Sequence, residues 1–75
     1  MERSQNPATD EVRWRVKTSE ARSNIRQLLD SVEHDGARVL VDRYNRPSVV
    51  MVHVEWYLRA QEALGEDFDW AEGSQ

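Results

Sequence analysis

Basic side chains are concentrated in one short part of this 75-residue chain. Residues 12–29 contain five bases and one acid, Glu20, so this stretch carries +4 while the whole chain carries −4. An arginine can bind a phosphate or the edge of a base with two parallel hydrogen bonds, so such a cluster is typical of nucleic-acid contacts. The alternative is an ordinary solvated face. The five bases are Arg13, Arg15, Lys17, Arg22 and Arg26.

The C-terminal part of the chain has the opposite charge. Residues 55–75 contain six acids and one base, Arg59, with Phe68 and Trp70 spaced among the last acids. Acidic segments with spaced aromatic residues often become ordered only when they dock on a partner, with the aromatic rings as anchors. We therefore predict that this part binds a basic protein surface through Phe68 and Trp70. The competing interpretation is that both rings fold back onto the domain itself.

Patterns of catalysis or metal binding are missing from the sequence. There is no glycine-rich phosphate loop, no nucleophile motif and no metal-ligand spacing. Cysteine is absent, and His34 and His53 are far apart in the chain. We expect no enzyme activity, no catalytic residue, no metal and no cofactor. The lack of cysteine and of an apolar run resembling a signal peptide or membrane span predicts a cytoplasmic protein without membrane contact.

A strand and a helix are predicted to hold the basic cluster. Residues 1–11 are polar and aperiodic, so we expect a disordered arm. Val12, Trp14 and Val16 then alternate with the first three bases. A period of two is that of a half-buried strand, which here would have one apolar and one wholly basic face.

The helix that follows is predicted to span about four turns. Either Thr18 or Ser19 can cap its first N–H groups. Gly36 is at the predicted end of the helix, where a residue in the left-handed conformation commonly forms the C-terminal cap. Arg22 and Arg26 are four residues apart and would share a face near the helix start, where free N–H groups favour a phosphate. The apolar stripe consists of Ala21, Ile25, Leu28, Leu29 and Val32.

A hairpin and a second helix complete the predicted fold. Residues 37–44 and 48–54 are rich in β-branched side chains and are separated by a turn that contains Asn45 and ends at Pro47. The nearly continuous apolar run 49–52 predicts a strand that is covered on both faces.

The second helix is predicted over residues 55–64, with Tyr57, Ala60 and Leu64 on one side and Gly65 at its end. The fold class is therefore α+β, in the order β-α-β-β-α, with a small sheet packed by helices and a flexible tail.

The size of the chain predicts a homo-oligomer. A domain this small buries only about 60% of its unfolded surface and usually needs a disulfide, a metal or a partner chain. Val39, Val41, Val49 and Met51, together with the helix stripe, provide more apolar surface than one small layer can cover. We therefore expect a dimer.

Several of these pieces, in this order, resemble the antitoxins of the Phd/YefM family. They are "SEAR" with a downstream "LL", Gly36, "VLVDR", the turn ending in Pro47, and an apolar strand followed by "EWY". The resemblance covers about residues 12–64. It implies a homodimer whose paired N-terminal halves bind operator DNA, and a C-terminal segment that wraps and inhibits a toxin. Arg22, in "SEAR", and Arg43, after the second strand, are carried over as DNA contacts.

The leading hypothesis is an antitoxin that neutralises a toxin encoded by the adjacent gene and represses its own operon. The dimerisation and DNA-binding domain would be residues 12–54, and residues 55–75 would form the second helix and toxin-binding tail. One alternative is a stand-alone dimeric repressor, and another is an interaction module that binds an acidic protein.

Arg46 would either extend the DNA contact or be a solvated loop residue. The candidate DNA contacts are Arg13, Arg15, Lys17, Ser19, Arg22, Arg26 and Arg43. The candidate toxin contacts are Tyr57, Leu64, Phe68 and Trp70.

Overall fold

The computed structural model describes residues 1–66, which form a four-stranded sheet and three helices. The strands lie in chain order, with β2 and β3 parallel and the other two pairs antiparallel. The two helices between β2 and β3 make the crossover that a parallel pair requires. The predicted α+β class is therefore confirmed. The elements are β1 (Glu2–Gln5), β2 (Val12–Lys17), α1 (Thr18–Ser23), α2 (Ile25–Asp35), β3 (Arg38–Arg43), β4 (Arg46–Met51) and α3 (Val54–Ala63).

Strand β1 lies within the segment that was expected to be a disordered arm. It pairs antiparallel with β2, with Glu2 opposite Arg15. The connection is closed by Asn6, whose side-chain oxygen accepts from the Ala8 N–H at 2.9 Å. All four β1 side chains are exposed. The expectation of disorder was wrong because this strand is held by backbone pairing and has no apolar alternation to reveal it.

The predicted four-turn helix is divided at Asn24. The backbone of Asn24 has φ −123° and ψ 24°, and its side-chain amide donates to the Glu20 carbonyl at 2.9 Å. Asparagine side chains compete in this way with the helical hydrogen bonds, which explains the break. The predicted C-terminal cap is confirmed, since Gly36 has φ 65° and the Ala37 N–H donates to the Ser31 carbonyl.

The core lies between α1–α2 and one face of the sheet. Leu28 and Val39 are fully buried, and Trp14 and Met51 pack against the same cluster. Two members of the predicted helix stripe, Ile25 and Leu29, remain 45% and 51% exposed. Part of the stripe therefore has no cover in a single chain. The buried apolar residues are Val12, Val16, Ala21, Leu28, Val32, Ala37, Val39 and Val41.

The hairpin turn is shorter than predicted and precedes Pro47. Its two central residues, Tyr44 and Asn45, have φ 54° and 60°, the signs required by a tight type I′ connection. Pro47 lies inside β4 opposite Asp42, beside a register shift. Because β4 is an edge strand, proline's missing N–H is tolerated there.

Strand β4 is also more open than the sequence indicated. Val49 and Val50 are 54% and 55% exposed, although the apolar run 49–52 was expected to be covered on both faces. That expectation does not hold within one chain, because no further strand flanks β4 in the described sheet.

Helix α3 matches the predicted second helix to within a residue. His53 caps its start, with Nδ1 accepting from the Glu55 N–H at 3.0 Å. At its end Gly65 has φ 75°, and the Glu66 N–H donates to the Gln61 carbonyl at 2.9 Å. Within residues 1–66, no helix is both long and apolar enough to cross a membrane.

Candidate functional site

The C-terminal ends of β2 and β3 bring basic residues together at one edge of the sheet. The two strands are parallel, so α1 begins beside the point where the β3–β4 turn projects. Lys17 lies opposite Asp42 in the register, and the Thr18 hydroxyl donates to the Asp42 carbonyl at 2.9 Å. We call this region the basic edge and define it by Lys17, Ser19, Arg22, Arg43 and Arg46.

The cations of the basic edge are exposed, and Lys17 is the one that interacts with a carboxylate among residues 1–66, that of Glu20. Among residues 1–66, none of Lys17, Arg22, Arg43 and Arg46 forms an ion pair. The Arg43 guanidinium instead stacks over the ring of Tyr44, with its central carbon 5.2 Å from the ring centre. A cluster of exposed positive charges that are not held in ion pairs favours a polyanionic ligand.

Residues of β2 that were predicted to make a wholly basic face are partly neutralised. Arg15 donates two hydrogen bonds to the Asp42 carboxylate, at 2.8 and 3.2 Å. This hydrogen-bonded contact raises the pKa of Arg15 further above its usual value. The Glu11 carboxylate contacts both Arg13, at 2.8 Å, and Arg38, at 3.0 Å. The outer face of β2 carries only basic side chains, as predicted, but acids of the neighbouring strand and of the loop before β2 neutralise Arg15 and Arg13.

Arg22 and Arg26 are separated by the break at Asn24. Arg22 is in the last turn of α1, whereas Arg26 is in the first turn of α2. Arg26 lines a groove beside Trp14 and Asp30, and Arg22 is not part of that lining. The expectation that both arginines share one face depended on a continuous helix, and the break places them in different helices, with Arg22 in the helix that begins at the basic edge.

The start of α1 is arranged differently from the prediction. The N-cap position is Lys17, and neither Thr18 nor Ser19 caps the helix with its side chain. The Glu20 carboxylate accepts from the Lys17 N–H at 2.9 Å and lies 2.6 Å from the Met1 ammonium. These contacts lower the pKa of Glu20, chiefly through Met1 and then through Lys17. Ser19 is therefore left exposed in the first turn.

Helix α3 is the second candidate surface. Tyr57 is 39% exposed and Leu64 is 76% exposed. Phe68 and Trp70, the other two predicted contacts, lie outside the described residues. Tyr57 also lines an apolar groove between α2, β4 and α3. The other residues that line this groove are Leu29, Val32, Val50, Met51, Val52 and Val54.

Two aromatic residues that the prediction did not include belong to these surfaces. Trp56, 39% exposed, stacks on the Arg38 guanidinium at 4.9 Å and so ties the start of α3 to β3. Tyr44 is 80% exposed at the basic edge. The sequence signal for Tyr44 is its place in "RYNR", where an aromatic side chain precedes a turn-forming asparagine between two arginines. In the part of the chain that the structure describes, no group of three or more acidic or histidine side chains is placed to hold a metal ion.

Comparison with models of protein families shows what the chain is similar to. A family model described as "Antitoxin Phd_YefM, type II toxin-antitoxin system" matches residues 15–69, which is most of the chain. The matched region contains α1, the hairpin and α3, but not β1. No curated protein and no solved structure matched the chain.

Proposed function

We propose, from the premise that this chain belongs to the Phd_YefM family of type II toxin-antitoxin antitoxins, that it neutralises a cognate toxin by direct binding and represses its own operon as a DNA-binding homodimer. The observation that carries the proposal is the division of the chain into two surfaces. An exposed basic edge, whose cations form no ion pair among residues 1–66, lies on the sheet domain, and a helix with part-exposed apolar side chains leads into an acidic segment. The chain acts by binding alone, without a cofactor or a catalytic residue, in the cytoplasm where its operator lies.

The DNA contacts centre on Arg22 and Arg43. Both are exposed, both lack an ion pair among residues 1–66, and both occupy positions at which the family resemblance implies DNA contact. Exposed arginines can reach phosphates and base edges without first losing a carboxylate partner. The other proposed contacts are Arg13, Arg15, Lys17, Ser19 and Arg26. Of these, Arg13 and Arg15 must exchange a carboxylate for a phosphate, so they should contribute less.

The homodimer is supported by the apolar surface that one chain leaves open. Leu29, Val50 and Val54 are each more than half exposed and line one groove. Contiguous apolar surface of this kind usually marks an interface, and a domain this small gains much of its stability from a partner. A second copy of the chain is the proposed cover.

Toxin binding is assigned to α3 and the residues that follow it. Tyr57 lines the apolar groove but is also 39% exposed, and Leu64 is exposed just after the helix. Phe68 and Trp70 continue this series of apolar anchors into a segment rich in acids. A basic toxin surface with apolar pockets is the matching partner.

The test is growth of cells that express the adjacent small reading frame, alone and together with this chain. We expect growth arrest that this chain relieves. The double variant Phe68→Ala, Trp70→Ala should no longer relieve arrest but should still bind the upstream duplex. Arg22→Gln should do the reverse. No arrest, combined with normal binding to the upstream duplex, would favour the stand-alone repressor. No duplex binding by the wild-type chain would refute the DNA-binding half of the proposal.

A further inference from the structure

We infer that the tip of the β3–β4 hairpin is a DNA-contacting element in its own right, in which Tyr44 packs against a sugar or base edge of duplex DNA and Arg46 binds a phosphate. The inference rests on the proposed function, because it adds named contacts to the same DNA-binding surface. It concerns two tip residues that are neither among the DNA contacts carried over from the family, Arg22 and Arg43, nor in the basic cluster of residues 12–29.

Tyr44 has a backbone conformation that disfavours its side chain. Its φ of 54° lies in the left-handed region, where glycine, asparagine and aspartate are common and bulky residues are rare. The side chain is 80% exposed, so packing against the core does not offset this local cost. The neighbouring Asn45, at φ 60°, is the residue type that the turn favours. Residues held in unfavourable conformations occur preferentially at functional sites.

Two arginines add a second unfavourable feature at the same tip. Arg43 and Arg46 lie directly opposite each other in the β3–β4 register. Like charges at such positions destabilise a strand pair. The nearest carboxylate in the sequence, Asp42, is engaged by Arg15. A polyanion bound at the tip would relieve this repulsion and would make use of both charges.

The geometry of the tip suits a nucleic-acid groove. A two-residue turn makes the end of the hairpin narrow, and a two-stranded ribbon fits the major groove of B-DNA. The Arg43 guanidinium lies over the Tyr44 ring, with its central carbon 5.2 Å from the ring centre, so the positive charge and the aromatic ring are in contact. The hydrogen bond from Thr18 to Asp42 places this tip next to the start of α1. The tip and Arg22 can therefore contact one duplex together.

The test separates the ring from the charge. Tyr44→Asn removes the ring but retains a residue that accepts a positive φ, and Tyr44→Phe keeps the ring. Arg46→Gln removes one charge, and Arg59→Gln, an exposed position on α3, is its matched control. Binding of the full chain to a labelled duplex from upstream of its gene is measured by fluorescence anisotropy at several salt concentrations, beside thermal unfolding of each variant.

Tyr44→Asn should lower duplex affinity by about fivefold, as expected when a partly buried aromatic side chain loses its apolar contact, and should leave the salt slope unchanged because no charge is removed. Its unfolding temperature should be equal to or higher than that of the wild type, and Tyr44→Phe should bind normally. Arg46→Gln should reduce the slope of log affinity against log salt by about 0.9, as expected for one lost phosphate contact, and Arg59→Gln should not.

Two outcomes overturn the inference alone. Both apply when the wild type binds the duplex and Arg22→Gln does not. The first is that Tyr44→Asn binds the duplex with wild-type affinity. The second is that Arg46→Gln has the same salt slope as Arg59→Gln. If Tyr44→Asn impairs relief of growth arrest but not duplex binding, the tip belongs to the toxin surface instead. If the wild-type chain binds no duplex, the DNA-binding proposal and this inference fail together.

Discussion

Leu28 and Leu29 are neighbours in α2 with opposite environments, and this contrast gives a direct test of the dimer. Leu28 is 0% exposed within the core cluster, whereas Leu29 is 51% exposed and lines the open apolar groove. Replacing each by alanine removes the same atoms from the same helix. Any difference in the free energy of unfolding therefore reports what surrounds the two side chains.

The expected magnitudes follow from burial. Leu28→Ala removes a fully buried side chain from the core cluster that includes Val16 and Val39 and should cost about 2–5 kcal/mol, because the transfer term and the cavity term add. In an isolated chain Leu29→Ala should cost about 1 kcal/mol or less, since half of the side chain is already in water and no cavity forms. In a dimer that covers the groove, the cost at Leu29 rises toward that at Leu28.

The assay is urea or thermal unfolding of the wild type and both variants at two widely separated protein concentrations. A dimer makes the unfolding midpoint depend on concentration, and Leu29→Ala should weaken that dependence because it weakens association. Leu28→Ala should lower stability at both concentrations. A midpoint that does not change with concentration in the wild type, with a small cost for Leu29→Ala, would refute dimerisation through this groove. A small cost for Leu28→Ala would refute the core assignment.

Three further predictions concern the ends of helices. Gly36→Ala should destabilise the chain by about 1 kcal/mol in urea unfolding, because a residue with a Cβ is strained at φ 65°. The added Cβ would meet no atom within 4 Å, so the cost comes from the backbone conformation, and Gly36→Asn should cost less. His53→Ala removes the α3 cap and should cost about 1 kcal/mol by the same measure, with His53→Ser restoring most of it. The pKa of Glu20 is lower in the folded chain than its ordinary value of 4.5. The contacts of its carboxylate therefore stabilise the fold at pH values above 4.5, and this stabilisation is lost as the pH falls through the pKa of the folded chain. Wild-type unfolding temperature should therefore fall more steeply below pH 4.5 than that of Glu20→Gln, and parallel curves would contradict this assignment.

Local elements of the fold could be predicted because their causes are local. Alternating apolar residues placed β2, Gly36 marked the end of α2, and Gly65 marked the end of α3. Each of these signals depends on side-chain period or on backbone freedom within a few residues. Arg22 and Arg43 were also selected from the chain alone, because the sequence around them resembles a known family, and their contact with DNA stays a prediction.

The long-range features were not predictable in this way. Strand β1 has no apolar pattern, since its pairing with β2 uses backbone groups that every residue carries. The turn was misplaced because Tyr44 was not expected to adopt a positive φ.

Charge compensation also depended on the tertiary structure. Asp42 pairs with Arg15, which is 27 residues away in the sequence. The sequence alone does not show that the two strands carrying these residues are neighbours in the sheet. The sequence thus determined that residues 12–29 are basic and residues 55–75 acidic. Only strand pairing decided which of the basic charges are neutralised and which remain free at the edge of the sheet, because the strength of an ion pair depends on a distance that chain separation does not set.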